Sequence, residues 1–175
     1  MGPKLEISDQ VTAGYHGTSL ASAQEILSTN FKLSPPDSGA YLGEGVYFFD
    51  NQPSQAKRWA KTRFGAARGS KYAVIQSKIK YGRLLNLTDR ESHDTVRWFA
   101  QEYQRKASKT VTLPTIIDIV AEKLNVEVVK AMRVPKKPDF LMQTGFSADI
   151  EVILAVRELK NILSRDQIWS EMTPP

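Results

Sequence analysis

A chain of 175 residues with a net charge of +5 and no cysteine has room for one well-filled domain over residues 1–175, and it excludes disulfides, thiolate metal sites and cysteine nucleophiles together. The histidines are His16 and His93, with no His-Glu-x-x-His pair, so no metal is expected. No apolar run approaches the ~18 residues of a membrane span and Met1–Glu6 carries no apolar signal core, so a cytoplasmic location without membrane contact is expected.

In chain order, Val11–Tyr15 reads as a short strand. Ser22-Ala23-Gln24-Glu25 has the form of a capping box, in which hydroxyl and carboxylate each serve an orphan amide at a helix start. That helix is expected to run to about Ser28, to bury Leu20, Ala23, Ile26 and Leu27, and to end near Asn30. Pro35–Gly39 is a loop, since its prolines fix φ and remove amide donors. Val46–Phe49 reads as a strand and Ser54–Phe64 as a helix. Tyr72–Ile79 reads as a strand, followed after a bend at Gly82 by a second short one, Arg83–Leu87. Arg90–Lys106 and Thr115–Leu124 carry helical spacing, the latter turning Ile116, Ile117, Val120 and Leu124 inward. Val126–Val134 fits a strand or a helix. Pro135-Lys136-Lys137-Pro138 breaks the chain, Ile150–Val156 is the clearest β run, and Ile162–Ile168 is a short strand or turn. Strands in two groups, with helices early and in the middle, predict an α+β fold with a mainly antiparallel sheet.

Three segments carry chemistry. Gly14-Tyr15-His16-Gly17-Thr18 sets a histidine beside a glycine at the end of a strand. Gly43-Glu44-Gly45-Val46-Tyr47-Phe48 is a glycine-flanked aromatic strand; no Gly-Lys-Ser/Thr follows it, so it is not a phosphate-cradling P-loop. Glu151 opens the apolar run Val152–Val156. Taken singly, these read as a core histidine, a β-strand with turn glycines and a solvent-facing glutamate. Taken in this order, they resemble an NAD⁺-binding ADP-ribosyltransferase of the His-Tyr-Glu type, the poly(ADP-ribose) polymerase and diphtheria-toxin kind. The resemblance covers Tyr15 to about Ala60 closely and Ser147–Val156 more loosely.

The resemblance implies a split, mainly antiparallel sheet core with flanking helices, and NAD⁺ as substrate. By it, His16 bonds a ribose hydroxyl on the adenosine side, next to Thr18, and Gly17 lets its backbone approach the nicotinamide carboxamide. Tyr47 stacks on the nicotinamide ring, and Trp59, on the helix that follows, supplies the second aromatic wall or else reads as a core tryptophan. Glu151 bonds the ribose 2′-hydroxyl, stabilises the oxocarbenium-like transition state and helps to activate the acceptor. Asp149 lies two residues before Glu151, hence on the same face of an extended strand. It reads either as an acceptor contact or as a turn cap.

The acceptor is less marked. From Lys57 to Lys71 there are six basic residues and no acidic one, and Lys61 and Arg63 are its candidates for contact with a nucleic-acid acceptor. The other reading is a solvated helix face with contacts to the NAD⁺ pyrophosphate. Two more clusters, Arg105-Lys106-Lys109 and Arg133-Lys136-Lys137, add positive charge. The compact chain implies a mono-ADP-ribosyltransferase acting on nucleic acid or protein, in the manner of a toxin or effector, with an antitoxin or immunity protein as partner. An NAD⁺-dependent RNA 2′-phosphotransferase and a non-catalytic NAD⁺- or ADP-ribose-binding module are the rival readings. Scarcity of histidine argues against the first, and the carboxylate at Glu151 against the second.

Overall fold

The structure is a computed structural model and describes residues 5–35, 40–107, 110–134 and 150–174. Asp149, Lys109, Lys136, Lys137 and the Pro135–Pro138 break lie outside the described residues, as does most of the Pro35–Gly39 loop. The elements are β1 (Glu6–Ser19), α1 (Leu20–Ser28), β2 (Val46–Asp50), α2 (Pro53–Phe64), β3 (Lys71–Asn86), α3 (Arg90–Ala107), α4 (Leu113–Leu124), β4 (Val128–Arg133), β5 (Glu151–Val156), a 3₁₀ turn (Leu159–Asn161) and β6 (Asp166–Met172). The fold is α+β. No helix among the described residues is long and apolar enough to cross a membrane.

The six strands form one sheet in the order β1-β2-β5-β4-β3-β6, and β3 also pairs back with β1. All these pairings are antiparallel except β3–β4. Side chains alternate along a strand, and this period of two divides the apolar residues into two clusters. Phe48, Ile75, Leu84, Val128 and Leu154 fall on one face with Ala23 and Phe31. Their immediate neighbours Phe49, Val74, Leu85, Val129 and Ala155 fall on the other, with Ala56 of α2 and Ile116, Ile117 and Val120 of α4. Both faces of the sheet are therefore covered. This is why Tyr72–Ile75 of β3 is buried without interruption, as a strand sandwiched on both sides must be.

Two local differences from the sequence reading have physical causes, and one segment left open is decided. Tyr72–Ile79 and Arg83–Leu87 belong to a single strand, β3, because Gly82 bends within the ladder rather than ending it. Its φ is +60°, and a Cβ there would overlap the Glu127 carboxylate, so only glycine fits. Helix α1 starts before the expected capping box: β1 runs to Ser19 in extended conformation, and the Ser19 hydroxyl accepts from the Ser22 amide at 3.1 Å. Ser19 is the cap, and Glu25 instead meets Lys32. Within α1, Ala23 is buried and Leu20 and Ile26 half-buried, whereas Leu27 faces solvent at 37% exposure. The ambiguous Val126–Val134 segment contains a strand, β4, alongside Leu84–Asn86.

Candidate functional site

The site is made by a ladder that stops early. β1 and β2 pair only at Gly14–Asp50 and Tyr15–Phe49, with the Asn51 amide on the Ala13 carbonyl at 2.8 Å. Beyond Tyr15, β1 follows β3 as far as Ser19 while β2 follows β5, and a gap opens between them. In an antiparallel strand both polar backbone groups of alternate residues point to the same neighbour. Ala13 and Tyr15 point to β2, so the Gly17 amide and carbonyl point into the gap. The Tyr47 carbonyl, which a continued ladder would offer to Gly17, instead bonds His16 Nδ1 at 2.8 Å. A carbonyl only accepts, so Nδ1 carries the hydrogen and Nε2 is left as an acceptor in the neutral ring. Burial lowers the His16 pKa, with the Tyr47 bond opposing it, and Phe31 and Phe48 pack at ring distances of 5.3 and 5.7 Å.

A buried polar cluster pins the joined end of the two strands. The Asp50 carboxylate accepts from Thr12 Oγ1 at 2.5 Å and Asn51 Nδ2 at 3.0 Å on one oxygen. Its other oxygen accepts from Tyr81 Oη at 3.0 Å and pairs with Lys130 Nζ at 2.8 Å. Both carboxylate oxygens are satisfied, which is what burial of an acid demands.

Tyr47 is held through the glycine turn before it. Gly43 has φ +75°, and a Cβ there would overlap the Asp118 carboxylate. That carboxylate accepts from the Glu44 amide at 2.8 Å and from Arg157 at 2.7 Å, while Arg157 also donates to the Glu44 carbonyl at 2.9 Å. The Tyr47 hydroxyl closes the turn by donating to the Gly43 carbonyl at 2.7 Å and accepting from the Leu42 amide at 3.0 Å. Burial pushes the Tyr47 pKa up to about 12. The hydroxyl is thus spent on structure, and the ring is what Tyr47 has to offer a ligand.

The gap widens into a cleft of about 670 Å³ lined by His16, Gly17 and Thr18 from β1, Tyr47–Phe49 from β2, Trp59 and Arg63 from α2, and Tyr41, Arg133 and Ile153. This volume lies within the range of small-molecule sites. Trp59 is 42% exposed. A Cβ on Gly17 would overlap the Ala56 carbonyl and lie 3.1 Å from Ala60 Cβ. The close approach that Gly17 permits in the structure is therefore that of α2, the helix that carries Trp59 and Arg63 to the wall. Lys61 is exposed and is not among the lining residues. It lies one turn along from Lys57, whose Nζ sits 5.3 Å from the Trp169 ring, on the other flank of α2. A larger hollow of about 800 Å³ lies near α4, where Arg157 is paired with Asp118 and Lys160 with Glu127.

Glu151 stands just behind the cleft wall, on the same strand face as the lining residue Ile153. Its side chain is 12% exposed, and it sits directly across the β4–β5 pair from Arg133. Arg133 Nε donates to Glu151 Oε2 at 2.6 Å, and Arg133 Nη2 meets the same oxygen. The Arg133 guanidinium lies over the Tyr41 ring at 5.4 Å. The Tyr41 hydroxyl is buried with no hydrogen-bond partner among the described residues, and burial raises its pKa. Gln52, just before α2, brackets Glu151 along the backbone: it donates to the Ile150 carbonyl at 2.7 Å and accepts from the Val152 amide at 2.8 Å.

The structure thus brings His16, Gly17, Thr18, Tyr47, Trp59 and Arg63 to one cleft and sets Glu151 one hydrogen bond behind it. Sequence reasoning missed the supporting residues Gln52, Asp118 and Arg157 and named Arg133 only as part of a basic cluster, and no local pattern marks their roles. Among the described residues, no group of three acidic or histidine side chains could hold a metal ion. No protein-family model matches this chain, and no curated protein matches it.

Proposed function

We propose that the chain is an NAD⁺-dependent mono-ADP-ribosyltransferase whose substrate enters the gap between β1 and β2. The observation that carries this reading is the interrupted ladder: a strand edge at Gly17 opens toward the Tyr47 segment, with aromatic rings beside it and a carboxylate behind. A primary carboxamide has one acceptor and one donor group, which is what the carbonyl and amide of Gly17, turned into the gap, complement. The rings of Tyr47 and Trp59 offer flat walls for a pyridinium ring, and Arg63 offers positive charge for a pyrophosphate. The neutral His16 ring keeps Nε2 as an acceptor for a ribose hydroxyl.

In the reaction, the bond between ribose C1′ and the nicotinamide nitrogen breaks, and its electron pair leaves with nicotinamide, which becomes neutral. A nucleophilic atom of the acceptor bonds to C1′ and loses its proton, with no oxidation or reduction. Positive charge develops on the ribose between these events. The Glu151 carboxylate is the group of this site that would stabilise it and bond the 2′-hydroxyl.

The acceptor is a macromolecule, and the basic run divides between two tasks. Arg63 is on the cleft wall, whereas Lys57 and Lys61 lie on the outer flank of α2, where a polyanion would meet them. The test is transfer of label from adenine-labelled NAD⁺ to a cell lysate, with Glu151→Gln as control, followed by separate nuclease and protease digestion. Wild type should transfer label and the variant should not. Label lost to nuclease alone assigns a nucleic-acid acceptor, and label lost to protease alone assigns a protein. Equal labelling by the two proteins contradicts the proposal.

A further inference from the structure

We propose that Arg133 is a positioning residue for Glu151, holding one carboxylate oxygen so that the other is presented to the reacting ribose; this rests on the transferase reading above. Two nitrogens of Arg133, Nε and Nη2, converge on the single oxygen Oε2. Oε1 receives no hydrogen bond among the described residues. The guanidinium is itself held between two partners, its carbon 5.4 Å from the centre of the Tyr41 ring and its nitrogens on the carboxylate. The backbone on either side of Glu151 is held by the two bonds from Gln52. The carboxylate therefore has one oxygen tied down and a defined direction for the other.

Stability alone does not account for this pair. The Arg133 side chain is 39% exposed and that of Glu151 12%, and for such a half-buried pair the desolvation of the charges offsets much of their attraction. Orientation is a different matter, because a reacting group misplaced by about 1 Å can lose about 100-fold in rate. Arginine suits the task better than lysine, since its planar fork delivers two donors in fixed geometry and can lie flat on an aromatic ring. The charge of Arg133 is committed to Glu151, which leaves Arg63 as the cleft-lining cation free to face a pyrophosphate.

The experiment measures nicotinamide release and NAD⁺ binding for wild type, Arg133→Lys, Arg133→Ala and Glu151→Gln, with thermal melts on each. Ethylguanidinium is then added to the Arg133→Ala and Glu151→Gln proteins. Arg133→Ala should lower kcat about 100-fold with KM changed less than about threefold, and Arg133→Lys should fall between it and wild type. Ethylguanidinium should restore part of the rate to Arg133→Ala and none to Glu151→Gln, a response that a purely structural ion pair would not give. If Arg133→Ala does not fold, the same kcat-against-KM comparison on Arg133→Lys decides. A rise in KM at unchanged kcat would make Arg133 an NAD⁺ contact and overturn the proposal, as would wild-type kinetics in both variants. A wild type that neither binds nor turns over NAD⁺ would instead overturn the transferase reading, and this inference with it.

Discussion

At the scale of single residues, His16 and Tyr41 make the sharpest claims. Burial depresses the His16 pKa below the ordinary value of 6.5. Between the depressed value and 6.5 the unfolded chain binds a proton that the folded chain does not, so stability rises with pH across that window. Wild type should therefore lose melting temperature as pH falls through about 6.5, and His16→Gln should show a shallower decline; equal slopes would contradict the neutral, partly buried ring. Tyr41 presents the opposite case, a buried hydroxyl without a partner among the described residues, and such a group costs about 1–3 kcal/mol. Tyr41→Phe should melt no lower than wild type, and a clear loss would mean that the hydroxyl has a partner. His16, Gly17, Thr18 and Tyr47 were legible because each belongs to a short motif with its own backbone geometry. Their supports were not. Glu44 finds Asp118 across 74 positions, Gln52 finds Ile150 across 98 and Arg157 reaches Glu44 across 113, and no local spacing encodes such pairs.

At the scale of elements, the position of α2 depends on one missing methyl group. Ala56 and Ala60 are fully buried against β1, so Gly17→Ala should push the helix off the strand. We expect a cost of about 1–3 kcal/mol from overpacking, together with loss of NAD⁺ binding as Trp59 and Arg63 move. A melt and a binding titration on this variant separate the two effects. Unchanged stability would show that α2 does not rest on Gly17. The elements themselves were largely readable from apolar period and turn residues, and the two misreadings and the one undecided segment have a common origin. The Ser22–Glu25 pattern looked like a helix start because propensity does not record that β1 continues to Ser19. Gly82 looked like a strand end because a bend inside a ladder and a bend between strands carry the same residue. Val126–Val134 could not be decided alone, since its strand character comes from the partners β3 and β5 on its two sides.

At the scale of the whole molecule, the sheet is closed at one end of β1–β2 and open at the other. The Asp50 cluster with Thr12, Tyr81 and Lys130 holds the closed end. The grouping of strands and helices along the chain announced an α+β fold in the sequence. The parallel β3–β4 pair did not show, because strand direction is a property of the connections between strands. The basic run was visible as composition, but its division between the cleft and the outer flank of α2 emerges only when the helix is placed on the sheet. The central proposal is that NAD⁺ is cleaved in the gap between β1 and β2. The direct measurement is nicotinamide release from NAD⁺, in the presence of lysate, by wild type and by Glu151→Gln at matched folding and matched NAD⁺ binding. Wild type should release nicotinamide and the variant at least about 100-fold less, the scale expected when a group that stabilises transition-state charge is neutralised. Equal release by both proteins, or none by the wild type at saturating NAD⁺, would contradict it.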